Sequence, residues 1–386
     1  MGMDRVRFAV VGVTGYSKSH LSGVQFLAGQ GRGELVASMM IDRADHPDVV
    51  AGFEADGVRV FDDYQTMLDA CVGQVDVVTL PVPIHLHAPM AMAAFERGYH
   101  VVVEKPVTGG SLSEIDALIA ARDAAGRRCA VGFQAIYSPL WQTLKRYAIA
   151  GKLGRIKWVR GMALWPRSPA YYARNGWAGR LYVGDRPVFD SPFNNALAHQ
   201  IMNMLFVVSP EPYRAAYIDE VAAELFRAYP IESFDSACLR ARTRDGVEIY
   251  FAASHACDVN VNPMIHLEAE RATVDYVYGQ GATISCRDGA TETLSDRAEP
   301  RSMVFENLVD VLTGQAETPA CPLEMARAHV ACIEALHRAA PIVDIAARHI
   351  AKRADGQLVV AGVVEAVRQG FETGKLFSEL GAPFAP

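Results

Sequence analysis

Short apolar runs alternate with helical patterns over residues 6–126, and this alternation constrains the fold more than any other feature of the chain. The pattern predicts strands over 6–11, 35–41, 58–61, 75–80 and 99–104, with helical segments between them. Strands that alternate with helices of this length form a parallel sheet with helices on both faces. We therefore predict a doubly wound α/β domain over residues 1–130.

Residues 101–106 read Val-Val-Val-Glu-Lys-Pro and place two charged side chains at the end of a buried strand. The β-branched residues favour a strand, and the proline ends it because proline has no N–H to donate. Glu104 and Lys105 are therefore expected at the carboxyl edge of the sheet, where open α/β sheets bind ligands. An ordinary strand end with solvated charges is the alternative interpretation.

The first predicted strand runs directly into a glycine-containing loop. Dinucleotide-binding turns have the pattern G-x-G-x-x-G, in which backbone N–H groups and a helix N-terminus face the pyrophosphate. Here the three positions are Gly12, Thr14 and Ser17, with a further glycine at Gly15. The fingerprint is incomplete, but its place between a strand and a helix predicts a nucleotide site.

Asp42 and Arg43 follow the second predicted strand and bear on the choice of coenzyme. A carboxylate at this position accepts hydrogen bonds from the adenosine ribose hydroxyls, which favours NAD. An arginine there pairs with a 2′-phosphate, so NADP remains an alternative.

Beyond residue 150 the apolar residues recur with a period of two. This pattern predicts strands over 156–164, 236–242, 247–254, 265–270 and 273–278, with a hairpin signal at 244–246. We predict a second domain over residues 131–386, built on a large, mostly antiparallel sheet with one open face. Amphipathic helices are predicted over 323–340 and 359–368, and the first is expected to return to the nucleotide domain.

Several motifs occur in an order that resembles the glucose–fructose oxidoreductase / inositol dehydrogenase (Gfo/Idh/MocA) family. They are the loop 12–20, Asp42 with Arg43, the Pro-Ile-His-Leu-His-Ala run at 83–88, the Glu-Lys-Pro run within 98–106 and the Val-Gly-Phe-Gln run at 131–134. Residues 152–156 resemble the family's connection to its second domain. The resemblance implies a Rossmann domain that binds NAD, and a substrate domain that forms a dimer or tetramer through its open sheet face.

The resemblance also implies a catalytic set. Lys105 is expected to steer the proton on the reacting oxygen, with Glu104 fixing the strand end beside it. The family has an Asp-x-x-x-His pair on one helix face, and Asn195 and His199 take those positions here. A core histidine is the alternative for His199, and Asp190 is a candidate for the missing carboxylate.

Further contacts are expected around this set. Expected coenzyme contacts are Gly12, Thr14, Gly15, Tyr16, Asp42, Arg43, Pro83, His87, Glu104, Lys105, Trp177 and Arg180, and expected substrate contacts are Gln134, Arg167, Tyr172 and Asn195. Several of these lie in the segment 165–180, which is rich in aromatic residues and arginine. Aromatic faces stack on sugar rings or nicotinamide, and arginines bind hydroxyls or carboxylates. Packing against the sheet or a partner subunit is an equal alternative for this segment.

Composition narrows the class of partner and the compartment. The net charge is −7 without a long basic run, which argues against nucleic acid or an anionic membrane as partner. No stretch approaches the roughly 20 apolar residues of a membrane span, and no long apolar segment precedes the first strand. The seven cysteines include no C-x-x-C pair, so reduced thiols in a cytoplasm are expected. His85 and His87 lack companion ligands in the sequence, so no metal is predicted.

The favoured function is a cytoplasmic NAD(P)-dependent oxidoreductase that moves a hydride between nicotinamide and a hydroxyl or keto carbon of a sugar, polyol or related molecule. One alternative is an enzyme that transiently oxidises a sugar with held NAD so that elimination breaks a glycosidic bond. A ligand-sensing regulator without turnover is another alternative, which Asn195 and Thr14 favour. Lys105 and His199 argue against the regulator.

Overall fold

The structure is a computed structural model that describes residues 5–296 and 301–385. Its N-terminal part alternates strands and helices as the sequence predicts. The elements are β1 (Val6–Val11), α1 (Ser17–Gly29), β2 (Gly33–Met39), α2 (Pro47–Ala55), β3 (Arg59–Phe61), α3 (Tyr64–Ala70), β4 (Val77–Leu80), α4 (Ile84–Glu96), β5 (His100–Val103), α5 (Leu112–Ala125) and β6 (Cys129–Val131).

The remainder of the chain is richer in strands. Its elements are α6 (Pro139–Ile149), β7 (Ile156–Leu164), α7 (Pro169–Tyr172), β8 (Tyr182–Val183), β9 (Arg186–Pro187), α8 (Ala198–Val208), β10 (Ile218–Arg227), β11 (Ser236–Thr243), β12 (Glu248–Ser254), β13 (Val261–Ala269), β14 (Ala272–Val277), β15 (Gly281–Cys286), β16 (Thr291–Leu294), α9 (Ser302–Leu312), α10 (Leu323–Ala339), β17 (Ile342–Asp344), β18 (Ile350–Lys352), β19 (Leu358–Val360) and α11 (Val363–Thr373). None of the helices within the described ranges is long and apolar enough to cross a membrane.

The chain divides into two compact units. The first contains the residues up to Thr108, then Ser113–Ser138, and a later segment that ends at Ala326. The second contains Gly109–Leu112, the segment that starts at Pro139, and the chain from Arg327 onward. We predicted a division after residue 130, whereas the first unit extends to Ser138 and includes the later segment that contains α9. We expected α10 to return to the first unit. The elements that belong to this unit are α9 and the first turn of α10.

The first unit is a doubly wound parallel sheet. Its six strands lie in the order β3-β2-β1-β4-β5-β6, and all five neighbouring pairs are parallel. The order reverses between β1 and β4, so the carboxyl ends of these strands flank the crevice in which such sheets bind ligands. Helix α9 packs on α1 and β6, and its Phe305 ring also lies 6.2 Å from the Phe8 ring of β1. The predicted Rossmann architecture is confirmed.

The second unit is built on a nine-stranded sheet in the order β16-β15-β14-β13-β7-β12-β11-β10-β17. The β7–β12 and β10–β17 pairs are parallel and the other pairs are antiparallel, so the predicted mostly antiparallel sheet is confirmed. The β11–β12 hairpin turns at Gly246, where φ is +80°, as the Asp-Gly signal predicts.

The face of this sheet that was expected to be open is open only in part. Consecutive strand residues point to opposite faces, and Tyr250 and Phe251 of β12 both have partners. Tyr250 packs in a cluster with Val363 and Val367 of α11, whereas Phe251 packs on Phe193, 5.1 Å between ring centroids. The amphipathic stripe of α11 therefore covers part of the face that we predicted to receive a partner subunit.

A buried lysine ties α6 to the end of α8. The Lys145 side chain is buried, and its ammonium Nζ donates to the carbonyl oxygens of Phe206 (2.6 Å), Ser209 (2.7 Å) and Arg214 (3.2 Å). These carbonyls lie at and beyond the C-terminus of α8, where backbone acceptors have no partner within the helix. Lys145 thus satisfies a helix end that the core would otherwise leave unpaired.

Lys145→Met is expected to lower the free energy of unfolding by about 1–3 kcal/mol, because it leaves buried carbonyl oxygens without donors. The matched control is Lys152→Met, since Lys152 pairs with Glu292 at the surface, where ion pairs contribute little to stability. Urea unfolding of both variants measures the difference. Equal stability of the two variants would show that the cap is dispensable.

Candidate active site

The first unit presents a buried carboxylate at the end of β5. The strand ends at Val103, and Glu104 follows with 8 % of its surface exposed. The backbone N–H of Lys105 donates to Oε2 of Glu104 over 3.2 Å. The carboxylate therefore holds the backbone of the lysine, whose side chain is half-buried.

His20 of α1 supplies the second partner of this carboxylate. Its Nε2 lies 3.1 Å from Oε1 of Glu104, and both side chains are buried. The His20 ring is held edge-on by Phe305 of α9, with 5.2 Å between ring centroids. Burial raises the pKa of Glu104, but the hydrogen bond to His20 and the charge of Lys105 outweigh it, so the pKa is lowered overall. Sequence reasoning missed His20, although it lies one turn into the helix that follows the glycine loop.

A glycine after β6 makes room for the same carboxylate. A Cβ atom on Gly132 would meet the Glu104 carboxylate carbon at 2.7 Å and its Oε1 at 2.5 Å. Any side chain at this position would displace the carboxylate. Gly132 belongs to the Val-Gly-Phe-Gln motif, but its spatial role could not be read from the sequence.

The loop after β1 has the geometry of a phosphate-binding turn. Gly12 has φ +81° and Gly15 φ +55°, conformations that favour glycine. A Cβ at Gly12 would meet the Ser17 hydroxyl at 2.6 Å, and that hydroxyl donates to the carbonyl of Val11. Ser17 thus fits the position of the third fingerprint glycine, while Thr14 and Tyr16 are exposed. The N–H of Ser17, the first residue of α1, donates to the carbonyl of Thr14 and closes this turn.

Asp42 and Arg43 lie just beyond β2 and are both exposed. The Asp42 carboxylate is 3.3 Å from Nε2 of His46, one turn along the chain. This leaves an acidic group at the position from which Rossmann domains bind the ribose hydroxyls.

The two predicted contacts from the 83–88 motif differ in character. Pro83 occupies the N-cap position of α4, and His85 and His87 both lie within this helix. His87 is fully buried, with Nδ1 2.7 Å from the carbonyl of Pro106 and Nε2 2.8 Å from that of Val82. It joins the chain segments that follow β4 and β5. Its predicted coenzyme contact stays a prediction.

A small cavity lies between the glycine loop and the Glu104 carboxylate. It is lined by Tyr16, His20, Val102, Glu104, Gln134, Arg301, Val304 and Phe305. Gln134, a predicted substrate contact, is therefore part of this site. Arg301 stacks on the Tyr16 ring at 4.7 Å and donates to the Ser19 hydroxyl. Sequence reasoning missed Arg301, since it reaches the loop only through the return of α9.

The second unit contains the predicted Asn-x-x-x-His pair, but not on one regular helix. Asn195 lies in a π-helical turn, Pro192–Ala196, and His199 lies in the first turn of α8. Leu197 separates the two segments with φ −115° and ψ 13°. The wide turn is closed by the N–H of Leu197, which donates to the carbonyl of Pro192. Single π-helical turns are frequent at functional sites.

Asp190 is the carboxylate partner of Asn195. Nδ2 of Asn195 donates to Oδ1 of Asp190 over 2.7 Å, and the N–H of Gly179 donates to Oδ2 over 2.6 Å. Arg174 lies 3.7 Å from the same carboxylate, which is buried. The residue that we considered as a replacement for the missing aspartate therefore contacts the asparagine directly.

The aromatic and arginine segment splits into two groups. Arg174 stacks on Tyr171 at 3.8 Å and lies 5.2 Å from Trp177, and Arg167 lies 4.7 Å from the same Tyr171 ring. Arg180 points elsewhere: it is exposed and lies 3.9 Å from the surface residue Glu232. The structure thus brings Trp177 and Arg167 into the cluster and leaves Arg180 outside it. The predicted nicotinamide contact of Arg180 stays a prediction.

Comparison with known proteins finds a family whose model matches the first part of the chain. Residues 6–133 match the model of the "Oxidoreductase family, NAD-binding Rossmann fold", Gfo/Idh/MocA. Over this region the chain is similar to the Gfo/Idh/MocA oxidoreductases, and the predicted NAD-binding domain is confirmed.

The matching relatives include inositol dehydrogenases. Inositol 2-dehydrogenase 4 of Saccharopolyspora erythraea is 40% identical over 116 residues, which are 30% of this chain and 32% of the relative. Inositol 2-dehydrogenase of Streptomyces avermitilis is 32% identical over 148 residues, 38% of this chain and 41% of the relative. The matched region thus spans less than half of these curated relatives.

Solved structures extend the similarity of fold to most of the chain. The WlbA dehydrogenase of Bordetella pertussis, solved with NADH and UDP-GlcNAcA, superposes with a TM-score of 0.69 at 24% identity, over 87% of this chain and 96% of that one. UDP-N-acetylglucosamine 3-dehydrogenase GnnA of Acidithiobacillus ferrooxidans superposes with a TM-score of 0.69 at 19% identity, over 88% and 98%. At this identity the likeness establishes the fold of the second unit.

Gly132→Ala is expected to lower the free energy of unfolding by about 1–3 kcal/mol, the typical cost of overpacking, because the new methyl group displaces the Glu104 carboxylate. The matched control is Gly52→Ala in α2, where nothing lies within 4 Å of the added Cβ. Alanine has the higher helix propensity, so this control should be neutral or slightly stabilising. Thermal and urea unfolding measure both variants, and a neutral Gly132→Ala would contradict the described packing.

Proposed function

We propose that this protein is an NAD-dependent oxidoreductase that transfers a hydride between nicotinamide C4 and a hydroxyl or keto carbon of a sugar, polyol or related molecule. The observation that carries the proposal is Lys105, held by the buried Glu104 carboxylate at the carboxyl edge of an NAD-binding Rossmann sheet. Support comes from the inositol dehydrogenases among its relatives. A neighbour in fold was solved with NADH and a UDP-sugar, which fits the same reaction class.

The residues of the first unit suit a dinucleotide. The loop 12–16 and the N-terminus of α1 would hold the pyrophosphate, because a helix N-terminus presents backbone N–H groups to an anion. Asp42 would accept hydrogen bonds from the adenosine ribose, and Arg43 keeps NADP as the lesser alternative. The bound coenzyme supplies the hydride acceptor or donor.

In the proposed reaction, Lys105 accepts and returns the proton of the reacting oxygen. During oxidation the substrate hydroxyl loses its proton as hydride leaves the same carbon, and the Lys105 amine accepts that proton in general base catalysis. In the reverse direction the Lys105 ammonium returns it to the carbonyl oxygen. His199 would act as a second acid or base, and Asn195, oriented by Asp190, would donate to or accept from a substrate hydroxyl. Glu104 keeps its role as the group that positions Lys105.

A cytoplasmic location and assembly into a homo-oligomer belong to this proposal as predictions from the sequence. The uncovered part of the nine-stranded sheet is the surface to which the oligomer prediction refers. It is rich in charged side chains, among them Arg160, Arg240 and Glu248.

Lys105→Ala is expected to lower kcat/KM by about 10²- to 10⁴-fold, the usual contribution of a general acid or base. The assay follows NADH formation at 340 nm with inositols, hexoses and sugar acids as substrates. Lys352→Ala, on an exposed strand, is the control. Wild-type kcat/KM in Lys105→Ala would sink the mechanism. Cleavage of a glycoside without net NADH formation would favour transient redox, and binding without any turnover would favour a regulator.

Asp42→Ala is expected to weaken NADH binding about tenfold, because a hydrogen bond to a charged group contributes roughly 1.5–3 kcal/mol. Asp45→Ala is the matched control, an exposed acid in the same short turn. Titration with NADH and NADPH, followed by nicotinamide fluorescence, measures both affinities. If the wild type binds NADPH more tightly than NADH, Arg43 and not Asp42 recognises the adenosine ribose. That result would contradict the choice of NAD.

A further inference from the structure

Two parallel strands bring a second polar cluster to one edge of the nine-stranded sheet. β7 and β12 are parallel neighbours, so Trp165 and His255, the residues that follow them, lie side by side. The N–H of Trp165 donates to the carbonyl of Ser254, and that of Arg167 donates to the carbonyl of His255. We call Trp165, Arg167, Tyr171, Tyr172 and His255 the strand-end cluster.

Three polar atoms of the strand-end cluster are buried without a partner. They are Nε of Arg167, Oη of Tyr172 and Nε2 of His255, none of which has a hydrogen bond to the described residues. The three side chains surround the ring of Tyr171. This ring lies 4.7 Å from the Arg167 guanidinium, 5.2 Å from the Tyr172 ring and 5.9 Å from the His255 ring. Buried polar atoms in proteins nearly always have a partner, so three together indicate that a polar molecule completes the cluster.

The chemistry of His255 defines one contact. Its Nδ1 lies 2.7 Å from the carbonyl oxygen of Trp165, which can only accept, so Nδ1 carries the hydrogen and Nε2 presents a lone pair. Burial, followed by the charge of Arg167, lowers the pKa of His255 to about 3, so the ring is neutral near pH 7. A neutral imidazole with a fixed lone pair is an acceptor for a ligand hydroxyl.

The charge of the cluster defines the other contact. Among the described residues no carboxylate lies within ion-pair distance of Arg167, whose side chain remains partly exposed. Asp235 lies at the same edge, but its oxygens accept from the N–H groups of Ala228 and Tyr229 and from the Ser236 hydroxyl. Asp190 is likewise engaged, by Asn195 and Gly179. The unpaired charge of the strand-end cluster is therefore the Arg167 guanidinium, which binds carboxylate or phosphate oxygens in pairs.

We propose that the strand-end cluster binds a hydroxylated anion, with Arg167 on its carboxylate or phosphate group and His255 Nε2 accepting from a neighbouring hydroxyl. The inference rests on the proposed function in taking this anion to be the substrate. It narrows the substrate from sugars and polyols in general to those that carry a negative charge. Tyr171 and Trp165 would pack on the apolar face of such a ring.

The test compares three hexose probes of the same ring size by isothermal titration calorimetry, without coenzyme. They are D-glucuronate, D-glucose 6-phosphate and D-glucose. We expect at least one anion to bind wild-type protein about tenfold or more tightly than glucose, as a charge-assisted pair allows. Glucuronate and glucose 6-phosphate distinguish a carboxylate from a phosphate as the recognised group.

Arg167→Gln is expected to abolish this preference and bring the anion to the affinity of glucose, and Arg167→Lys to keep part of it because only the fork is lost. Arg155→Gln is the matched control, an exposed arginine paired with Glu270 at the other end of β7. Thermal unfolding checks that the variants fold. Equal binding of glucose and the anions overturns the proposal, as do equal effects of Arg167→Gln and Arg155→Gln or the absence of binding by all three probes.

The outcome is separable from that of the proposed function. Anion preference that depends on Arg167, without any hydride transfer, would sink the oxidoreductase proposal and leave the binding site standing. Hydride transfer to neutral sugars alone would support the oxidoreductase proposal and contradict the anion site.

Discussion

A single buried carboxylate organises the candidate site of the first unit. Removing an ionised carboxylate from water is costly unless hydrogen bonds and opposite charges compensate. For Glu104 that compensation comes from His20 of α1 and from the N–H of Lys105, and Gly132 supplies the space. The glycine loop, the end of β5 and the end of β6 therefore cannot move independently. This coupling ties the helix that would bind pyrophosphate to the lysine that we propose for proton transfer.

In the second unit, strand direction determines which residues meet at the edge of the sheet. Most of its strand pairs are antiparallel, so successive strand ends fall on alternate edges of the sheet. The parallel β7–β12 pair is an exception in the centre of the sheet, and it sets Trp165 beside His255. The residues after β7 then fold back over this edge. An aromatic and cationic cluster results that a regular antiparallel sheet would have dispersed.

Much of the fold and of the candidate site was predictable from the sequence, because these features depend on local patterns. The strands of the first unit follow from apolar runs, and the site residues Glu104 and Lys105 follow from a strand that stops at proline. Strand β10 escaped prediction, because its alanines and glutamates blur the period of two. His20 also escaped, since its partner lies 84 residues away in the sequence and no local signal marks a buried pair.

By itself, the sequence determined the alternation of strands and helices in the first unit and the residues that stand at the ends of its parallel strands. Those features follow from hydrophobic period and turn chemistry, which act over a few residues. Only the tertiary structure decided which side chains meet. It paired Asn195 with Asp190, inserted a π-helical turn before His199, turned Arg180 to the surface and brought Arg301 to the glycine loop. Such pairings depend on packing between distant segments, where burial and hydrogen-bond satisfaction select one arrangement among many.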